Sequence, residues 1–499
     1  MKHRVLVIDL ISSGIKASLF ESGGQLLAQA YRPLPQRLEG DRAEQSPESW
    51  TQSMGQVVAE VGSQEALAGL SAVTFSAMSQ VCLCLDGDGR PLGDALTWSD
   101  SRAGEDPGLP QSLRAVTGVE PTANVSARKL NWFRLHEPDV YSRTHKMVQC
   151  KDYLAWELTG VCLTDVTDGA TTGVQELKSL RWCGQALDQL GISPEKLPRA
   201  VPSETVIGAV TECAAARYGI PAGTPVVMGA GDNLCSAIGA GCVENGDMYM
   251  SLGSSSWVAR CIDSVDQDPG APFAVLPHAV TGKYLAFVNY QTPGVVFKWL
   301  KNEIFRYDPR GRMPVEPYKN IYPYAGMAQQ AEKSPPGAGG LLFLPHILPG
   351  DSSRPGSGDR GAFLGLRWHH TREDMLRSAL EGICFELRRF AEGISRGALP
   401  ERITVTGVAS HETFWLQMLA DVLGTKIQNT NLHDTPDSIG GAVLALKALG
   451  VYPDFRQADR FRNIEQTFLP RPEEHRLYDR LYARWLQADS HTAELKFEE

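Results

Sequence analysis

Twice along the chain a short apolar run ends in a serine-rich turn and comes back as a second strand. VLVID (5–9) passes through LISSG into KASLFE, and DMYMSLGSSSWVAR (247–260) repeats strand, Ser/Gly turn and strand. Such openings point to two halves that begin with the same hairpin. A tight turn with small side chains and free N–H and O–H donors can also wrap a phosphate, although Gly and Ser are simply what turns contain.

Around these hairpins, strand and helix alternate. ESGGQLLAQAYRPL extends the first hairpin, and SPESW starts a helix with Ser46 as N-cap and Pro47 at the first helical position. LSAVTFSAM (70–78) and VCLCLDGDGRPL (81–92) read as strands, and 139–160 as mostly helical, stopping at Gly160. PVVMGAGD is strand then turn, and NLCSAIGAG continues as a small-residue helix. LLFLP (341–345) reads as a buried strand before the polar loop LPGDSSRPGSGDRG. Leu376, Leu380, Ile383, Leu387, Phe390 and Ile394 form one apolar helical stripe, capped by Thr371 with Asp374 three residues on. RITVTG (402–407) is a strand, and 412–424 and 439–450 are helices. The class is α/β.

The 499 residues suffice for two to four domains, and 42% hydrophobic content provides large cores. A net charge of −10 argues against a nucleic-acid partner, which needs a basic footprint, but not against an anion held by backbone amides. Ten scattered cysteines form no CxxC pair or zinc cluster and read as buried free thiols. No signal-type segment or long apolar run is found, so a cytoplasmic protein with no membrane partner is expected. GSGDRG (356–361) has dinucleotide-type spacing but follows a proline in a polar loop rather than a strand. The sequence holds no Walker motif, GxSxG elbow or HExxH helix, and His369 and His370 read as surface residues.

GAGDNLCSAIGAG (229–241) places Asp232 among glycines and alanines. As an N-cap, Asp232 would explain the acid but not its small neighbours. As a general base beside a helix N-terminus, it would explain both, since small residues leave room for a ligand. Composition leaves the two open.

The ordered blocks EQSPESW (44–50), LTWSDSRA (96–103), KDYLAWELTG (151–160), GTPVVMGAGDN (223–233), PGAGGLLFLPHILPGDSSRP (336–355), RGAFLG (360–365), HTREDMLRSALEGICFELR (370–388), FWLQMLADVLG (414–424) and GGAVLALKALG (440–450) span nearly the whole chain. In them the sequence resembles the FGGY family of carbohydrate kinases, most of all its xylulokinase-type members. The resemblance implies two ribonuclease-H-like lobes of actin/hexokinase type with an interdomain cleft. Residues 1–242 would be the sugar-binding lobe with the catalytic base, 243–485 the nucleotide-binding lobe and 486–499 a tail, with a hinge near Gly239–Gly246. It implies transfer of the ATP γ-phosphoryl group to a sugar hydroxyl, with Mg²⁺. Asp232 would be the catalytic base and Asp9 the metal-associated acid. Met78, Ser79, Gln80, Trp98, Asp100 and Asn233 would contact the sugar. Ser12, Ser13 and Lys16, then Gly253, Ser254 and Ser255, then Gly407, Val408, Ala409 and Ser410 would bind ATP. The expected acceptor is a ketopentose such as xylulose. The alternatives are another sugar, a polyol, a gluconate-like sugar acid, or a non-catalytic descendant that only binds sugar or nucleotide. A homodimer is compatible with the family.

The chain departs from the family pattern at four places. D-x-G-T-T becomes Asp9-Leu10-Ile11-Ser12-Ser13, and S-L-G-T-S-G becomes Ser251-Leu252-Gly253-Ser254-Ser255-Ser256. G-G-G-A becomes Gly407-Val408-Ala409-Ser410, and G-Q-M-H-G becomes Ala77-Met78-Ser79-Gln80-Val81. If position 11 needed a left-handed backbone, a β-branched isoleucine would be strained there.

Overall fold

The computed structural model describes residues 2–253, 256–265, 273–304, 323–348, 360–431 and 435–494. The chain divides into two compact units that interleave in sequence. The first comprises Met1–Asn245, Cys261–Leu285 and Thr435–Arg462, and the second Gly246–Arg260, Ala286–Asp434 and Asn463–Glu499. The division therefore differs from the single cut at 242/243 expected from the sequence, because 435–462 returns to pack in the first unit.

The first unit is built on a seven-stranded sheet. Its strands are β1 (Arg4–Ile11), β2 (Gly14–Glu21), β3 (Leu26–Pro33), β4 (Ala72–Ala77), β5 (Val206–Ala209), β6 (Pro225–Val227) and β7 (Ala230–Gly231). The order is β5-β6-β4-β1-β2-β3, with β7 also on β4. β1, β2 and β3 run antiparallel, whereas β4 is parallel to β1, β6 and β7. β1 reads RVLVIDLI, a continuous apolar run broken by one acid, and is buried on both faces as a central parallel strand must be. The β1–β2 register closes at Ile11↔Gly14, which leaves Ser12 and Ser13 as the turn.

Helices cover the sheet. α1 (Pro47–Gln64) buries Trp50, Met54, Val57, Val58 and Val61. Pro47 stands at its start as expected, but the Ser46 side chain makes no capping bond. The stretch 139–160 is not one helix: Pro138–Arg143 is followed by a short strand, Lys146–Val148, and only then by a second helix. α2 (Ser126–His136), α3 (Cys150–Thr159), α4 (Val166–Thr171) and α5 (Asp232–Gly239) carry residues used below. α3 opens with a Gln149/Asp152 capping box and stops at Gly160, whose φ is 72°. α6 (Pro436–Ala448) packs closely against α5. A Cβ on Gly239 would run into the Pro436 backbone, and one on Gly440 into the Cys235 backbone. Small residues in both helices make that approach possible.

The second unit repeats the plan. β8 (Met248–Ser251), β9 (Ser256–Ile262), β10 (Tyr284–Tyr290), β11 (Arg402–Thr406), β12 (Lys426–Thr430) and β13 (Ile464–Phe468) lie in the order β10-β9-β8-β11-β12-β13. β8 and β9 are antiparallel, and β8, β11 and β12 are parallel. Each sheet thus joins an antiparallel hairpin to parallel strands, as the repeated opening motif implies. The helix Arg372–Ser395 carries the expected stripe, and Thr371 and Asp374 form a complete capping box.

All ten cysteines are free; Cys213 is exposed and Cys162 half-buried, the others buried. Among the described residues no helix is long and apolar enough to cross a membrane. Most of GSGDRG, residues 356–359, lies outside the described residues. His369 is exposed, and His370 Nδ1 accepts the Arg367 N–H at 2.8 Å, a local turn contact.

Candidate active site

Parallel strands aim the residues at their carboxyl ends towards one edge, where open α/β sheets bind ligands. In the first unit, Asp9 of β1 pairs with Ser76 of β4, and Ser76 pairs with Ala230 of β7. One step on, Leu10, Ala77 and Gly231 lie side by side. The chain then leaves the sheet at three neighbouring points: the Ser12–Ser13 turn, the segment Met78–Gln80 and the start of α5 at Asp232.

Asp232 is the first residue of α5 rather than its cap; Gly231 holds the cap position. The carboxylate is half-buried, and among the described residues its Oδ1 accepts only its neighbour's N–H, from Asn233 at 2.7 Å. Burial pushes its pKa up to about 7, the Asn233 N–H lowering it and the Asp437 charge adding to the rise. A carboxylate that is neither sealed nor consumed, with a pKa near neutrality, is suited to taking a proton from a hydroxyl.

Ser79 and Gly231 meet above α4. Ser79 Oγ donates to Asp168 Oδ1 at 2.7 Å, and the Gly231 N–H donates to Thr167 Oγ1 at 3.0 Å. A Cβ on Gly231 would crowd Ser79 Oγ, so a larger residue before Asp232 would push the Ser79 side chain aside. Behind them lies a fully buried cluster. Lys151 Nζ stands 2.8 Å from Asp152 Oδ1, 2.9 Å from Asp165 Oδ1 and 3.0 Å from Asp168 Oδ2. Burial raises the Asp168 pKa to about 7 against the pull of Lys151.

On the other side, Asp9 faces Lys16 across the β1–β2 pair. Lys16 Nζ lies 3.0 Å from Asp9 Oδ2 and 3.4 Å from Asp437 Oδ1, the latter in the first turn of α6. Among the described residues neither Asp9 oxygen receives an aligned hydrogen bond. Burial and then the Asp437 charge hold the Asp9 pKa well above the carboxylate range, and Lys16 works against them. With the proton held on Asp9, the Lys16 ammonium offsets the Asp437 carboxylate; once that proton is displaced, the carboxylate oxygens are the donors that fit a hard divalent cation such as Mg²⁺.

The Ser12–Ser13 turn is braced from three directions. Trp98 Nε1 donates to Ser12 Oγ at 2.7 Å, Gln45 Nε2 to Ser12 O at 2.8 Å, and Tyr31 Oη to Ser13 O at 2.9 Å. Ile11 is not strained. The only non-glycine residues with positive φ among those described are Gln80, Leu180, Ala338 and Arg396. Gly14 is required for space instead, since a Cβ there would enter the Tyr31 ring and the Arg32 carbonyl.

Two expected sugar contacts are corrected. Asp100 is fully buried, and its carboxylate is occupied by Arg102 and by the Ala43 N–H at 2.8 Å, so it braces the segment. Met78 is 3% exposed; its N–H donates to Leu10 O and its carbonyl accepts Cys150 Sγ–H, so it belongs to the core. Trp98 is 40% exposed, Ser79 and Gln80 are half-buried, and Asn233 adjoins the base.

In the second unit, Gly407 has φ 86°, and a Cβ there would meet Leu252 O and Ser251 Oγ. Val408 begins a short 3₁₀ turn, Val408–His411; the Ala409 N–H donates to Leu252 O at 3.0 Å and the Ser410 N–H to Gly407 O at 2.9 Å. The one glycine this loop needs is retained. Gly253 follows β8, and Ser254 and Ser255 lie outside the described residues.

Residues 4–239 match the N-terminal domain of the FGGY family of carbohydrate kinases, and residues 248–449 its C-terminal domain. The chain belongs to the FGGY family. This FGGY kinase is 27% identical to a xylulose kinase of Bacillus subtilis, over 99% of the chain and 98% of that protein. It is 26% identical to a gluconokinase of the same organism, over 91% of the chain and 89% of that protein. A solved gluconate kinase from Lactobacillus acidophilus superposes with a TM-score of 0.89 at 24% identity, covering 99% of both chains. The chain is thus a sugar kinase, a phosphotransferase with the FGGY two-domain α/β fold.

The sequence reading of this kinase missed Asp437, Lys151, Asp165 and Asp168. KDY (151–153) and TDVTDGATT (164–172) carry acids and a lysine at helix starts, where charge ordinarily reads as solvated or capping.

Proposed function

We propose that this FGGY kinase transfers the γ-phosphoryl group of ATP to a hydroxyl of a neutral ketopentose such as xylulose, with Asp232 as general base. The observation that carries the reading is the half-buried Asp232 carboxylate, pKa about 7, at the carboxyl edge of the sheet, one residue after Gly231, which lies against Ser79. A base so placed contributes about 10²–10⁴ in rate by accepting the proton of the attacking hydroxyl. Phosphoryl transfer otherwise needs placement and charge stabilisation more than covalent chemistry. Asp9 and Asp437 would hold Mg²⁺, which neutralises phosphate charge when bound. Ser12, Ser13 and Lys16 would meet phosphate, and Gly407–Ser410 the adenosine side. The relaxed backbones of Ile11 and Val408 favour retained turnover over a binding-only descendant.

The charges near Ser79 favour a neutral acceptor over a sugar acid. Lys151 is enclosed by three carboxylates, Arg102 by Asp100 and Glu44, and Lys16 by Asp9 and Asp437. Lys129 and Arg128 are turned to backbone carbonyls. Among the described residues, none of these cations is presented unpaired beside Ser79, which favours an uncharged acceptor over an aldonate carboxylate. The gluconokinase relatives keep the aldonate reading as the second one.

Coupled ADP release against pentuloses, hexuloses, polyols and aldonates tests this. Turnover on a ketopentose, lost in Asp232→Ala, is expected. Preferred turnover on gluconate would replace the substrate, and no turnover on any acceptor by folded enzyme with MgATP would remove the reading.

A further inference from the structure

Gln80 carries a φ of 60°, a left-handed backbone that side-chain-bearing residues seldom adopt. Such strain persists only where the surroundings over-determine it. Here the turn is tied at four points. The Met78 N–H donates to Leu10 O, Ser79 Oγ to Asp168, and the Val81 N–H to Gln149 Oε1 at 3.1 Å. The Gln80 carbonyl is held by Lys129 of α2, whose Nζ donates to it at 2.7 Å and to the Thr97 carbonyl at 2.5 Å. Lys129 is completely buried. An isolated lysine so deep is disfavoured unless its donors are matched, and burial lowers its pKa to about 7.

The two carbonyls belong to the two segments that flank the acceptor side: 78–80, ending in the strained residue, and 97–98, ending in the half-exposed indole that meets Ser12. One ammonium therefore sets the spacing between them. The Gln80 side-chain amide makes no hydrogen bond among the described residues and is half-buried, while its backbone is fixed. An amide donates and accepts at once, which suits a sugar hydroxyl.

We propose that Lys129 is a positioning residue for the acceptor: by bonding the Gln80 and Thr97 carbonyls it locks the left-handed turn, and this aims the Gln80 amide and Ser79 hydroxyl at the sugar. The inference rests on the acceptor side assigned above but not on which sugar is used. Lys129 itself touches no substrate; it acts through the turn.

Steady-state kinetics and thermal melting of three variants, with the acceptor the wild-type enzyme prefers, test it. Gln80→Gly removes the amide and the backbone strain together, because glycine adopts this φ freely. It is expected to melt at or above the wild-type temperature and yet raise the sugar KM about fivefold or more, leaving the MgATP KM within about twofold. Lys129→Met is expected to raise the sugar KM about tenfold, again without moving the MgATP KM. The double variant is expected to be no worse than about twofold beyond Lys129→Met, since both act on one turn. A wild-type sugar KM in folded Lys129→Met, or fully multiplicative effects in the double variant, overturns the proposal. Should Lys129→Met not fold, Gln80→Gly decides: a wild-type sugar KM overturns, and a raised KM in an undiminished fold supports. Absence of turnover by the wild-type enzyme on every acceptor would instead strike the function proposed above, so the two failures are distinct.

Discussion

Ser79 Oγ donates to Asp168 Oδ1 across 2.7 Å, and Lys151 Nζ sits on the other carboxylate oxygen at 3.0 Å. The same lysine reaches Asp165 Oδ1 at 2.9 Å; Asp165 Oδ2 accepts the Thr167 hydroxyl, and Thr167 accepts the Gly231 N–H. One buried ammonium thus supports both Ser79, the proposed sugar contact, and Gly231, the residue before the proposed base.

Removing Lys151 leaves three buried carboxylates facing one another. Breaking a buried ion pair by deleting one partner costs about 3–5 kcal/mol. Lys151→Met is therefore expected to lower the unfolding free energy measured in urea by that amount at pH 7.5. Because Asp168 is already raised to about 7, lowering the pH to 6 protonates it and should recover part of the loss. A variant as stable as wild type at both pH values would contradict the role given to the cluster.

As the proposed base, Asp232 would set the pH profile. With a pKa of about 7 the base is protonated and inactive below that pH, so kcat/KM for the acceptor should fall about tenfold per unit below 7 and level off above it. The stability effect has the opposite sense. A carboxylate raised from 3.8 to about 7 binds its proton more tightly in the fold. Its contribution is complete below the unfolded pKa and lost as pH rises through the folded one. Asp232→Asn, which cannot ionise, should abolish turnover and at pH 8 gain on the order of 1 kcal/mol. Melting of both proteins at pH 5 and 8 checks the sign.

What was legible in the sequence follows from short-range physics. The β1–β2 hairpin shows in VLVID-LISSG-KASLFE because alternation and turn chemistry are local. The helix 372–395 shows because its stripe and its Thr371/Asp374 box are local too. Asp232 stood out because glycine and alanine beside an acid leave empty space. Other features depend on contacts the sequence does not display. Nothing in 435–462 announces its return to the first unit, since that packing rests on Gly239 and Gly440 meeting across two distant helices. Asp437 could not be paired with Asp9 for the same reason. Asp100 read as a ligand because its segment matches the family, while Arg102, two residues on, takes its carboxylate. The left-handed Gln80 is invisible because long-range bonds, not its own propensity, hold it.

The α5–α6 contact gives the next prediction. A methyl group on Gly440 would overlap the Cys235 carbonyl, which is backbone and cannot swing aside. Overpacking of this kind costs about 1–3 kcal/mol. Gly440→Ala is expected to lose that much in urea denaturation and to shift Asp437 away from Lys16, weakening Mg²⁺-dependent nucleotide affinity in calorimetry. Gly450→Ala makes a control of a different kind: nothing lies within contact of its Cβ, so only its φ of 69° penalises it, and nucleotide affinity should be unchanged.

Trp98 joins the two sides of the first unit's site. Its indole N–H holds Ser12 Oγ at 2.7 Å, and this leaves the serine proton free to point at a phosphate oxygen. Trp98→Phe keeps an aromatic ring in the segment but removes the donor. Ser12 would then be free to rotate, and the loss of one hydrogen bond of about 1 kcal/mol corresponds to about a fivefold weaker grip on nucleotide. Because Trp98 is 40% exposed, folding stability should change little. The expected result is a raised MgATP KM at an unchanged melting temperature, with Ser12→Ala giving the same rise and the double variant no further rise. Independent, additive effects of the two changes would show that the indole and the serine hydroxyl do not act as one unit on the nucleotide.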